Sequence, residues 1–445
     1  MARHPILPPR QDYAMVTAEV ADAAHGPAIR RRWWVAMAAA LPLVAAFLAS
    51  TGLLFWLGTG VWGINIPVNW GLAIINTVWW VGIGHAGTLI SSLLLLMGEG
   101  WRNSLNRFAE AMTLFAAMMA GLFPILHLGR PELFYWNFPI PSTFGVWPQF
   151  RSPLAWDFFS FVSYILVSLA FWYVGLIPDL ATLRDRSHGA ARAIYGALAL
   201  GWRGSAVHWA RWRQAYLGIA AAAFHLVISV HSGVAMLFAG GPVPGWHTTV
   251  FPPYFVFGAV FSGFAVVIML AIGLRTAFRL APLITPRHLD ILGRLLLATG
   301  LLTLYGYLAD AFHAWYSGDA YEIRTLLDRV EGEYAWSAWT AVALNFGAIQ
   351  LLWWRRARGS QPVLFAAALS VAAGMWFERY MLIVSGLYRD YLPSSWHIYD
   401  ASLWEWLLFA GTVGVFAMLF LLFARWLPMV SIFEVKEVLE REGKG

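Results

Sequence analysis

The sequence predicts an all-α polytopic membrane protein of about ten transmembrane helices, and three observations carry that expectation. Of 445 residues, 60% are hydrophobic and only 12% charged, against about half and a quarter in a soluble domain. The mean hydropathy is +0.61. Apolar runs of about 20 residues, the length that crosses a hydrocarbon core of ~30 Å, recur along the whole chain.

The first run, 34–57, follows the Arg30-Arg31-Arg32 cluster. The second, 70–97, and the third, 107–128, are separated by the polar link 98–106. Pro124 is expected to bend the last turns of the third, and Gly129 with Pro131 to stop it just past His127. The fourth, 153–176, begins in FRSPLAWDFF and ends before the Arg-rich stretch 177–212. The fifth, 213–238, the sixth, 253–275, and the seventh, 290–314, come next. After them lies 315–335, which carries Asp319, Glu322, Asp328, Glu331 and Glu333. The eighth, 336–354, ninth, 361–384, and tenth, 401–425, complete the set. Three regions follow: a tail over 1–33, a transmembrane domain over 34–425, and a charged tail over 426–445. No fixed-period repeat is visible. The first 30 residues hold charges and prolines without an apolar core, so they do not read as a cleavable signal peptide.

Basic residues set the orientation. Of 30 Lys and Arg, all but Arg130, Arg151, Arg324, Arg329, Arg379 and Arg389 fall on the side of the two tails. The positive-inside rule therefore puts both termini in the cytoplasm. The net charge of +6 resides in these loops, and no nucleic-acid partner is expected. With no cysteine, the chain has no disulfide, thiol nucleophile or cysteine-ligated iron–sulfur cluster of its own.

Ionisable groups inside spans are costly to bury and stand out as functional candidates. His85 shares a helix face with Gly82, Leu89 and Ser92. It reads equally as a packing histidine bonded to a neighbouring helix or as a link in a proton path. The fifth span carries His225, Ser229 and Ser232 on one stripe and His231 on another. Asp310 and His313 form an i,i+3 pair able to share a proton. Glu378 and Arg379 are adjacent, so they are expected to point apart and need separate partners. Asn345 and Gln350 read as interhelical glue. The candidate proton path is His85, His225, Asp310, His313 and Glu378.

The outer ends of the third and fourth spans hold a denser group. His127 closes one span and Asp157 lies near the start of the next. Antiparallel neighbours bring such ends together. The intervening loop supplies Trp136, Phe138, Phe144, Trp147 and Phe150, flanked by Arg130 and Arg151. An interfacial aromatic belt accounts for some of these rings. A histidine and a carboxylate beneath an aromatic mouth also suit a quinol. Each can accept a proton from one ring hydroxyl while flat walls hold the ring. Arg130 and Arg151 would orient carboxylates or dock an acidic partner.

At these residues the sequence resembles a known family. WGLAIINTVWWVGIGHAGTLISSLL, NRFAEAMTLFAAMMAGLFPILHLGRPELFYWNFPIP, GVWPQFRSPLAWDFFS, FWYVGLIPDLATLRDR and PGWHTTVFPPYFVFGAVFSGFA resemble the NrfD/PsrC membrane subunits. Within that family they are most similar to the ActC component of bacterial alternative complex III. The resemblance covers roughly residues 65–425. It implies two pseudo-symmetric four-helix bundles, the second to fifth and sixth to ninth spans, flanked by the outermost two. It implies quinol (menaquinol or ubiquinol) bound near the periplasmic face of a bacterial inner membrane, with no metal or haem on this chain. Electrons would pass to an iron–sulfur partner subunit and onward to cytochrome c or another acceptor. A multihaem cytochrome c, a second NrfD-like subunit and small membrane subunits would complete the complex. The quinol-site histidine and aspartate of the family match His127 and Asp157, and His85, Asp310 and His313 fit its proton path by position. The alternatives are a membrane anchor of a polysulfide- or nitrite-type reductase and a proton-conducting subunit without a quinol site.

Overall fold

The computed structural model describes residues 6–8, 11–22, 27–137, 153–389 and 392–443, and these are helical with no strand. A short helix α1 (Tyr13–Asp22) precedes α2 (Pro27–Leu57). Helix α3 (Gly71–Thr88) continues through a π turn, Leu89–Leu93, to Leu96. Then come α4 (Asn106–Leu126), α5 (Pro153–Arg186), the short α6 (Gly189–Leu198) and α7 (Ala206–Ala239). The second half holds α8 (Phe251–Ala277), α9 (Pro286–Ser317), the short α10 (Ala320–Glu331), α11 (Ala335–Val342) and α12 (Gln361–Leu387). Last are α13 (Leu403–Trp426) and α14 (Ile432–Arg441).

Among the described residues, nine helices are long and apolar enough to cross a membrane. The tenth expected span, 336–354, is wound unevenly. Its α11 turns give way to a π segment, Ala343–Gly347, and a 3-10 segment, Gln350–Trp353. Asn345, fully buried, sits inside the π segment. Irregular backbone at such depth is tolerated only where protein surrounds it, and α12 and α9 pack against it here.

Helices α3, α4, α5 and α7 close one four-helix bundle, and α8, α9, α12 and the uneven span close a second. The bundles meet mainly where α8 packs on α3 and α7 and where α12 packs on α3. Helices α2 and α13 pair outside them. Gly414 lets the α2 backbone approach closely, since a Cβ there would overlap Leu43. Indole donors lock the layers together: Trp80 Nε1 to Thr412 Oγ1 at 3.0 Å, Trp79 Nε1 to the Ala372 carbonyl at 3.0 Å and Trp376 Nε1 to Asn76 Oδ1 at 2.9 Å. Each removes a buried orphan donor that lipid could not satisfy.

The described residues of both tails include a helix. In α14 the apolar Ile432, Val435, Val438 and Leu439 are buried. Helix α1 lies against α14, with the Ile6 amide donating to Glu442 at 2.7 Å. The two ends of the chain thus form one cap at one end of the bundles.

Gly71 opens α3 with φ of 51°. Any Cβ there would overlap Glu405 Oε1 and the Tyr399 hydroxyl. Backbone strain of this kind costs ~1–3 kcal/mol. Gly71→Ala is therefore expected to lower the thermal unfolding midpoint. Gly52→Ala, with nothing within 4 Å of its Cβ, should leave the midpoint unchanged. Equal midpoints for both would contradict this account of α3.

Candidate functional site

His127 sits where α4 ends. Its amide donates to the Phe123 carbonyl at 2.9 Å, and its own backbone leaves helical geometry. Gly129, at φ of 79°, turns the chain away, and Pro131 begins a 3-10 turn through Asn137. The imidazole packs against Trp70, with ring centroids 5.6 Å apart. Its Nδ1 is buried and has no hydrogen-bond partner among the described residues. A buried orphan of this kind is uncommon and calls for an explanation. Half-buried Asp157 stands in the second turn of α5, which packs on α4. The two helices are consecutive and antiparallel, so His127 and Asp157 lie at the same end of the first bundle.

Arg130 is exposed at the rim. The side chain of Trp136, and Phe138, Phe144, Trp147, Phe150 and Arg151, lie outside the described residues. Trp70 is the wall that sequence reasoning overlooked, although it opens one of the segments carrying the resemblance. The turn holding it is braced from α13. Glu405 accepts from the Gly63 amide at 2.7 Å and from the Tyr399 hydroxyl, while the Leu72 amide donates to that hydroxyl at 2.9 Å. A buried carboxylate thus covers the orphan amides at the start of α3 and fixes Trp70 over His127.

The interior candidates divide. His85 is fully enclosed between two carbonyls, with Nδ1 2.7 Å from Val81 O and Nε2 2.9 Å from Val227 O. His231 is buried with its ring 4.3 Å from that of His85 and stacked on Phe255. His225, on the other stripe of α7, is exposed, and among the described residues its hydrogen bond is to its own helix, 2.8 Å from Ala221 O. The inward-facing histidine of this helix is therefore His231. Asp310 does not pair with His313, which is exposed. Arg329 from α10 takes Asp310 at 3.0 Å. Glu378 and Arg379 were expected to point apart, yet they pair with each other. The long guanidinium arm spans the turn between neighbours, lies 4.1 Å over the Phe255 ring, and leaves Tyr254 to donate to Glu378.

At the opposite end of the first bundle is a cluster that sequence reasoning missed, although NRFAEA already shows Arg107 and Glu110 three residues apart. Arg107 reaches Glu110 at 3.0 Å, Asp179 at 3.3 Å and the Gly175 carbonyl at 2.7 Å. Glu434 from α14 accepts from Arg102 and Asn106, and its carbonyl accepts from Asn103 at 2.7 Å. Burial works against the charge on Arg102, but Glu434, Tyr216 and Glu110 together outweigh it and raise the guanidinium above its ordinary value. This cluster rivets the terminal cap to the bundle. Among the described residues no group of three or more His, Asp and Glu side chains could hold a metal.

Comparison with known proteins agrees with this architecture. Residues 60–389 match the family described as polysulphide reductase, NrfD. The chain is 26% identical over 361 residues to a putative dimethyl sulfoxide reductase membrane subunit of Halobacterium salinarum, covering 77% of each chain. It is 24% identical over 403 residues to a selenate reductase subunit of Mesobacillus selenatarsenatis, covering 84% of this chain and 89% of that one. The chain belongs to the NrfD family of membrane subunits.

Proposed function

We propose that this chain is the quinol-oxidising membrane subunit of a multisubunit oxidoreductase, with its quinol site at the His127 end of the first bundle. The observation that carries the reading is the buried Nδ1 of His127, without a hydrogen-bond partner among the described residues, against the Trp70 ring. A quinol hydroxyl supplies the missing partner, and an indole plane suits a flat ring. When bound, quinol supplies two electrons and two protons as it becomes quinone. His127 takes one proton at Nδ1, and Asp157 takes the other on its carboxylate. The basic-residue asymmetry supports an outward position for this end, so both protons leave on the outer side of a bacterial inner membrane. The electrons go to an iron–sulfur cluster in a partner subunit docked over the same face.

Both named relatives are subunits of reductases. They favour a complex whose peripheral partner handles a small oxidised acceptor, with this chain as its quinone-interacting anchor. The second reading, the ActC component of alternative complex III with a multihaem cytochrome and a second NrfD-like subunit, rests on the GWRGS and PGWHTT segments. Proton transfer across the membrane, in either complex, would run through His85 and His231 rather than the outward-facing His225 and His313.

Affinity purification of the tagged chain from mild detergent should bring down an iron–sulfur subunit. A chain that arrives alone and conducts protons in vesicles without quinol contradicts the proposal. Asp157→Asn should cut quinol turnover ~10-fold or more, as loss of a proton acceptor does. His225→Ala and His313→Ala should stay within about twofold, as exposed positions do. The reverse pattern would move the proton chemistry elsewhere.

A further inference from the structure

The end of the first bundle opposite His127 carries an open crevice of about 730 Å³ that quinol oxidation does not use. One wall is the start of α7, with Trp209, Trp212, Arg213 and Leu217, and the other is α14. Leu95 and Gly98 from the end of the second span close the bottom. The two halves of the lining differ in chemistry. Trp209 and Trp212 pack on Phe433, the latter at 4.7 Å between centroids, so indoles of the kind enriched at membrane interfaces line the crevice. The rim is charged, and its charges balance.

Four cations and four carboxylates line the crevice: Arg102, Arg213, Lys436 and Arg441 against Glu99, Glu434, Glu437 and Glu440. Two pairs are already made, Arg102 with Glu434 and Arg441 with Glu437 at 2.7 Å. Arg213, Lys436, Glu99 and Glu440 are left without an ion-pair partner among the described residues. Burial pushes the half-buried Lys436 ammonium down, and the nearby Asp179 carboxylate only partly offsets this. Two free cations and two free carboxylates above an apolar floor do not match a simple anion.

We infer that this crevice binds the headgroup of a zwitterionic phospholipid. The phosphodiester would lie by Arg213 and Lys436, and the amine by Glu99 and Glu440. The acyl chains would run past Leu95 and Leu217 into the bilayer. Such a lipid would bridge α7 to α14 and seat the terminal cap at the membrane surface.

Native mass spectrometry decides this on the protein purified with its accompanying subunits. It would be offered equal amounts of dioleoyl-phosphatidylethanolamine, dioleoyl-phosphatidylglycerol and decylubiquinone. The parent protein should retain the phosphatidylethanolamine about two- to fivefold over the phosphatidylglycerol, the scale of one ion pair at a wet surface. The Glu99→Lys, Glu440→Lys variant should reverse that preference in favour of phosphatidylglycerol. Arg213→Glu with Lys436→Glu should lose the bound lipid while eluting from size exclusion as the parent does. If that variant fails to assemble, the reversal in the other one decides alone. Preference of the parent for phosphatidylglycerol, an unchanged preference in Glu99→Lys, Glu440→Lys, or displacement of lipid by decylubiquinone would overturn the assignment.

Discussion

His127→Ala is expected to reduce quinol turnover by ~10²-fold or more while the complex still assembles, the range that loss of a positioned proton acceptor produces. The imidazole contributes little to folding, because its Nδ1 has no hydrogen-bond partner among the described residues and it stands at the end of α4 rather than inside it. Activity and stability should therefore separate. Turnover falls, whereas the melting midpoint and the make-up of the complex stay those of the parent. His127→Gln, which keeps a side-chain acceptor but cannot hold a proton near neutral pH, should be nearly as inactive. Near-parental turnover in an assembled His127→Ala complex would remove the histidine from the mechanism.

Arg107→Ala is expected to have the largest effect on stability. The guanidinium is fully buried and serves Glu110, Asp179 and Gly175 at once. Removing it leaves two carboxylates beside Glu434, with the more distant Arg102 and Lys436 compensating them only in part. Stripping one partner from a buried pair costs ~3–5 kcal/mol, so the variant should accumulate poorly and unfold at a markedly lower temperature. Adding Glu110→Gln and Asp179→Asn removes the stranded charges and should recover much of the loss. A variant that melts like the parent would show that the cluster is not what holds α14 to the bundle.

The fold was largely legible because lipid permits only one economical solution for backbone polar groups, a helix of about 20 apolar residues. The eighth span kept that composition but not the winding. Asn345 and Gly347 allow a π segment, and only the packing of α12 and α9 shows that one forms. Pairing was harder to read. Spacing along one helix joins Asp310 to His313, yet Arg329 reaches Asp310 from another element, a contact no periodicity reveals. His225 and His231 pose the same difficulty, since α7 carries a histidine on each of two stripes and its sequence does not say which of them turns inward. His127 and Asp157 were easier, because a helix end and the next helix start must share one end of a bundle. Trp70 was missed because its contact with His127 joins elements far apart in the chain.

The central claim is that quinol binds at the His127 end of the first bundle, and photolabelling with an azido-substituted quinone examines it most directly. Peptide mapping after illumination should place the label on the segments around Trp70 and His127, with labelling suppressed by excess unmodified quinol and lost in His127→Ala. Label concentrated instead around Trp212 and Phe433, at the far end of the bundle, would contradict the account.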